Sequence, residues 1–146
     1  MAQGIHTELT FERAIEEALV QNGGYTKGYS EDFDAQTGLF PSYIINFLKE
    51  SQPLLWGKLA NIHKDEVDKK VMQRLIKEID LRGVLDVIRN GFTDYGVKFQ
   101  MAFFKPESTL NPDAEVLYKK NNLSVIRQVY YENERKNSLD MVFALN

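Results

Sequence analysis

The sequence predicts an α/β domain. Two runs near the end, 123–131 (LSVIRQVYY) and 138–146 (SLDMVFALN), are rich in the β-branched, aromatic and apolar residues that suit a pleated, buried setting. A polar stretch at 132–137 separates them, which is hairpin or short-crossover spacing. Ahead of them the chain reads as several helices, one strand and a further helix. No internal repeat and no phosphate-binding G-x-x-x-x-G-K-[ST] loop occurs.

With 146 residues the chain is long enough for one domain with a core. An apolar fraction of 43%, with nine Phe, seven Tyr and one Trp, argues against disorder. The formal charge of −3 includes no basic tail that would announce nucleic acid. Cysteine is absent, which excludes thiolate and disulfide chemistry, and His6 and His63 are too far apart for a zinc pattern. No apolar run reaches membrane-spanning length and residues 1–10 lack signal-peptide character, so a cytoplasmic setting without a membrane is expected.

Residues 1–10 read as an N-terminal arm, with Thr10 capping a helix from Phe11 to about Gln21. Phe11, Ile15, Ala18 and Leu19 form its apolar face, and Gly23-Gly24 ends it. A polar loop at 25–39 follows. Pro41 and Ser42 open a helix cored by Ile44, Ile45, Phe47 and Leu48, interrupted at Ser51-Gln52-Pro53, and Trp56 reads as core. Residues 64–81 give the clearest helix: Val67, Val71, Leu75 and Ile79 recur every four positions. Asp65/Lys69, Glu66/Lys70 and Arg74/Glu78 are oppositely charged neighbours on its surface. The apolar segment Val84–Ile88 fits a helix or a strand equally. Residues 95–104 alternate as a strand, and Asn111-Pro112-Asp113 starts a helix to about Lys119.

The chemistry concentrates at the two ends. Asp140 sits on a mostly apolar strand, where a carboxylate is costly unless solvated, hydrogen-bonded or cation-bound. It reads either as a strand-end residue capping backbone amides or as part of a polar site with Arg127, Gln128 and Tyr130. Glu12 and Glu16 share one helix face, as a solvated acidic stripe or as holders of a cation. An acidic first helix and a later acidic strand are the outline of a metal-dependent nuclease, because phosphodiester hydrolysis needs an activated water and stabilised negative charge. Magnesium supplies both from hard carboxylate ligands.

Longer stretches narrow that outline. G-V-L-D-V-I-R-N-G at 83–91, D-Y-G-V-K-F at 94–99, N-P at 111–112, and R-Q-V-Y-Y followed by S-L-D-M-V-F-A-L-N resemble the N-terminal nuclease region of the R subunit of type I restriction enzymes. The opening F-E-R-A-I-E-E-A-L-V-Q-N-G-G-Y fits that region's first helix and glycine–tyrosine turn. The resemblance runs from about Thr7 to Asn146. It implies a restriction-endonuclease-like, PD-(D/E)xK fold, a mixed sheet flanked by helices, over residues 11–146. Asp140 matches the strand aspartate that ligates Mg2+, and Glu12 the first-helix acid, with Glu16 its rival. Gln128, Tyr130 and Arg127 would support them. The family's next strand carries E-x-K, so the resemblance implies a domain incomplete at its C-terminal end and inactive alone. In the full subunit an ATP-driven motor translocates double-stranded DNA, which the nuclease then cuts, in complex with methyltransferase and specificity subunits. The alternatives are a noncatalytic docking module on the same fold and a stand-alone nuclease of another class.

Overall fold

A computed structural model describes residues 2–132 and 137–146, with side chains from Thr7 onward. The fold is mixed α/β. Its elements are α1 (Ala2–Asn22), β1 (Thr26–Lys27), α2 (Pro41–Ser51), α3 (Pro53–His63), α4 (Val67–Arg82), α5 (Val84–Asn90), β2 (Phe92–Asp94), β3 (Val97–Phe99), α6 (Pro112–Tyr118), β4 (Leu123–Tyr130) and β5 (Ser138–Leu145). The chain divides into two compact units, Met1–Phe40 with Asn122–Leu145, and Pro41–Asn121 with Asn146. Among the described residues no helix is long and apolar enough to cross a membrane.

In the first unit the sheet order is β1-β4-β5, with β1 parallel and β5 antiparallel to β4. Strand β4 takes the centre, and Val125, Ile126 and Val129 are fully buried there. Strand β5 lies at the edge of this sheet, and Leu139, Phe143 and Leu145 remain about half exposed. The neighbour that makes β4 central is β1, whose two residues, Thr26 and Lys27, are polar and carry no apolar strand signal. Phe143 is covered in part by the Tyr25 ring, 5.6 Å away. Of the polar connector at 132–137, residues 133–136 lie outside the described residues. Across it the Tyr131 amide donates to the Asn137 carbonyl at 3.2 Å.

Helix α1 packs on β4 and differs from expectation in two ways. It begins at Ala2, so residues 2–10 are helix rather than an arm and Thr10 lies inside it. No proline separates these residues from the amphipathic run, and Glu8 and Leu9 are good helix formers. Extending the helix backward is therefore cheap once its later turns dock. The packed face differs as well. Phe11 is 67% exposed, whereas Glu12 and Glu16 are buried. As expected, the helix ends at the glycine pair: Gly23 and Tyr25 amides both donate to the Leu19 carbonyl, and Gly24 has φ +75°.

The second unit is built from α2 to α6 and the β2–β3 hairpin. Phe47, Leu48, Trp56, Leu59, Val71, Leu75, Val87, Phe92 and Phe99 form its core. Full burial of such side chains stabilises by roughly 1.5–3 kcal/mol each. The expected strand at 95–104 is instead the hairpin, paired Phe92↔Phe99 and Asp94↔Val97. Its two-residue turn, Tyr95 (φ +46°) and Gly96 (φ +77°), has the double positive φ that matches the twist of the flanking strands. Tyrosine in the first position hides that turn from a sequence reading. The ambiguous segment at 84–88 is helical, as α5. The interruption between α2 and α3 serves packing: Gln52 donates through Nε2 to the Gln100 carbonyl at 2.9 Å and accepts from the Gln100 amide at 2.8 Å, as a strand neighbour would. Asn111 caps α6 by accepting from the Ala114 amide, as expected.

Candidate metal centre

The candidate site lies entirely in the first unit, where α1 crosses β4 and β5. Positions 8, 12 and 16 are one turn apart, so Glu8, Glu12 and Glu16 line one side of α1. Burial of Glu12 and Glu16, 7% and 5% exposed, is costly unless each finds partners. Both do, on β4. Arg127 Nε donates to Glu16 Oε2 at 3.1 Å, and its Nη1 lies 3.8 Å from Glu12 Oε2. Gln128 Nε2 lies 3.1 Å from each Glu12 oxygen. Lys27 of β1 adds a longer contact to Glu16, at 3.7 Å.

Adjacent strand residues ordinarily point to opposite faces. Here Arg127 and Gln128 both reach α1, because Gln128 adopts φ +55°. A non-glycine residue in that region costs on the order of 1 kcal/mol. The register shows where the distortion falls. Arg127 pairs with Met141 and Val129 with Leu139, leaving Gln128 opposite Asp140 without a ladder pair. Ser138 Oγ lies 3.5 Å from Gln128 Oε1, which orients the amide so that its nitrogen faces Glu12.

Asp140 therefore arrives beside the Glu8–Glu12 turn of α1. One carboxylate oxygen from each of Glu8, Glu12 and Asp140 lies within 4.8 Å of the others. Glu8 and Asp140 are exposed and Glu12 is buried, so the cluster has one fixed and two solvent-accessible members. An ionised carboxylate has about four lone-pair sites, and Gln128 uses one side of Glu12, leaving capacity for another donor or a cation. The donor set is all carboxylate oxygen, which suits hard divalent cations such as Mg2+, Mn2+ or Ca2+. Among the described residues, the four carboxylates Glu8, Glu12, Glu16 and Asp140 have two cations in ion-pair contact, Arg127 and Lys27, so carboxylates outnumber their paired cations. A divalent cation would relieve the repulsion among them.

Of the residues singled out from the sequence, Asp140, Glu12, Glu16, Arg127 and Gln128 are brought together. Glu16 belongs to the Arg127–Lys27 side and stands outside the three-carboxylate cluster. Tyr130 pairs with Ser138 in the sheet and is 53% exposed, without a hydrogen bond to the cluster. Glu8 was missed, because residues 1–10 were read as an arm. The signal that would have found it is the glutamate repeat at 8, 12 and 16, which continues the acidic stripe one turn toward the N-terminus. No family model, curated protein or solved structure matches the chain.

Proposed function

We propose that the first unit is the metal-binding part of a Mg2+-dependent nuclease domain of the kind found at the N-terminus of type I restriction R subunits. The observation that carries the reading is the convergence of Glu12 and Asp140, 128 positions apart in sequence, with Glu8 on one 4.8 Å cluster. Glu8, Glu12 and Asp140 would hold the cation. Bound Mg2+ would supply charge stabilisation and an activated water for attack on phosphate. Glu12, pinned by Gln128 and Arg127, would set the position of the ligand oxygens, and the exposed Asp140 and Glu8 would leave an open side for DNA. In the full subunit the reading includes ATP-dependent translocation of double-stranded DNA and assembly with methyltransferase and specificity subunits. These parts rest on the resemblance alone.

A second reading has its own support. Every Glu12 and Glu16 oxygen cited above already has a protein donor, so the network also suits a polar clasp that docks α1 on β4 without metal. Calorimetry with Mg2+ and Mn2+ separates the two. The nuclease reading expects saturable binding by the 146-residue chain, lost by about 100-fold or more in Asp140→Asn, since loss of even an outer-shell partner costs 10–100-fold. In the full subunit the same substitution abolishes DNA cleavage and leaves ATP hydrolysis intact. Absence of saturable binding, or affinity unchanged in Asp140→Asn, leaves the clasp.

A further inference from the structure

The second unit carries a cleft of the opposite electrostatic character. It has a volume of about 260 Å³ and lies between α4 and the β2–β3 turn, with His63, Lys70, Arg74, Lys77, Asp94 and Tyr95 in its lining. Lys70, Arg74 and Lys77 fall at i, i+4 and i+7 on α4 and so face the cleft together, over about 10 Å of helix axis.

The cations are differently disposed. Arg74 is fixed: its Nη2 contacts Glu78 at 2.7 Å and its Nε donates to the Thr93 carbonyl at 3.0 Å. Lys70 and Lys77 are exposed and form no ion pair among the described residues, including the Glu66–Lys70 pair that the helix spacing allows. The acid of the lining, Asp94, is occupied by His63, whose Nε2 lies 3.0 Å from Asp94 Oδ2 in a pair whose side chains are 9% and 8% exposed. What the cleft offers a ligand is therefore the remaining N–H donors of a fixed, Glu78-paired guanidinium and the positive charge of two exposed ammonium groups. That pattern matches phosphate, which accepts from several donors at once.

Tyr95 adds a second recognition element. It occupies the first turn position with φ +46°, where asparagine or glycine is ordinarily favoured, and its ring is 72% exposed. The ring stands edge-on to His63 at 5.1 Å, at the edge of the cleft. A flat apolar surface held there is a stacking platform for a base. The volume is below that of a pocket enclosing a drug-sized ligand, roughly 300–1,000 Å³, so only part of the ligand enters. One bounded cleft with one aromatic platform differs from the repeated aromatics along a groove that bind a nucleic acid strand.

The geometry points to a nucleotide site in this cleft, taking a nucleoside diphosphate with its phosphates along Lys70, Arg74 and Lys77 and its base against Tyr95. The test is calorimetry on the whole chain in metal-free buffer, where the carboxylate cluster of the first unit contributes no bound metal. The probes are ADP, AMP, adenosine, inorganic pyrophosphate and a thymidine decanucleotide. ADP binds, AMP binds more weakly and adenosine does not. Lys70→Gln with Lys77→Gln weakens ADP about 100-fold, roughly tenfold for each charge removed. Both lysines are exposed, and an unchanged melting temperature shows that the fold survives. Tyr95→Asn, which suits the turn, weakens ADP about tenfold and leaves pyrophosphate unmoved. The proposal is overturned if millimolar ADP gives no saturable heat, if adenosine binds as tightly as ADP, or if the lysine substitutions leave ADP affinity unchanged. Tighter binding of the decanucleotide than of ADP overturns it too, in favour of a strand-binding surface.

Discussion

Glu12 in the first unit and Glu78 in the second are equally buried, at 7% and 8% exposure, and are satisfied in opposite ways. Glu78 is held by Arg74 at 2.7 Å and Arg82 at 3.0 Å, both one turn away on its own helix. Arg82 continues to Asp86 at 2.7 Å, so charges in this chain balance within the helical surface. Glu12 is held by Gln128, which is neutral, and more distantly by Arg127, residues that meet it only because α1 docks on β4. Glu8 and Asp140, which also lie close to it, are acids. A buried carboxylate with two guanidinium groups has little need of another cation, whereas one held by an amide beside two more carboxylates retains the capacity for one. Burial alone therefore does not mark a site; the charge left over after pairing does.

Glutamate substitutions on α1 give the largest expected contrast. Glu12→Gln keeps the shape and an acceptor for Gln128 but removes a carboxylate proposed to hold the cation, so on that proposal Mg2+ affinity falls at least about tenfold with little change in stability. Glu16→Gln leaves Arg127 without its closest carboxylate, so stability falls by about 1 kcal/mol and Mg2+ affinity stays within about twofold. Calorimetry and urea unfolding on the same two proteins read both quantities. If Glu16→Gln loses the metal and Glu12→Gln does not, the division of α1 into a ligand turn and a clasp turn is wrong.

Gln128 holds Glu12 from the strand side. Gln128→Leu removes the donors to a buried carboxylate and places a bulkier apolar residue at φ +55°. A loss of about 2 kcal/mol is expected, within the usual 1–3 kcal/mol for stranding a buried polar group. Gln128→Gly also loses the donors but adopts that φ freely, so it should destabilise less than leucine. Equal urea midpoints for wild type and Gln128→Leu would show that the amide does not hold Glu12.

The smallest effect is on the second unit's surface. The hydrogen bond donated by Arg82, then that donated by Asn90, holds the Asp86 carboxyl below its usual value of 3.8, while donating that same bond to Asp86, followed by the one to Glu78, raises Arg82. Because the folded value of Asp86 is the lower one, its contribution is fully present above about pH 4 and is lost as pH falls through the folded value. Both groups are solvent-exposed, so the effect is slight. NMR titration of the Asp86 carboxyl should show its midpoint below 3.8, moving up toward that value in Arg82→Gln. A midpoint unaffected by Arg82→Gln would mean that the pair is not formed in solution.

The local features follow from residues close together in the chain. The four-residue recurrence of Val67, Val71, Leu75 and Ile79 announced α4, with Val71 and Leu75 in the core. The glycine pair ended α1, Asn111-Pro112-Asp113 opened α6, and the Arg74–Glu78 pair formed as the i, i+4 spacing requires. The apolar runs at 123–131 and 138–146 became the antiparallel β4–β5 pair. Each of these depends on neighbours a few residues apart or on two adjacent strands. The other features depend on contacts between distant segments. The acidic stripe of α1 turned inward because Arg127 and Gln128 were waiting on β4, more than a hundred positions away. Glu8 joined Asp140 because the helix extended back through the expected arm. Gln128 reached α1 alongside Arg127 only through a positive φ, which no side-chain pattern encodes and which persists because the packed carboxylate offsets its cost.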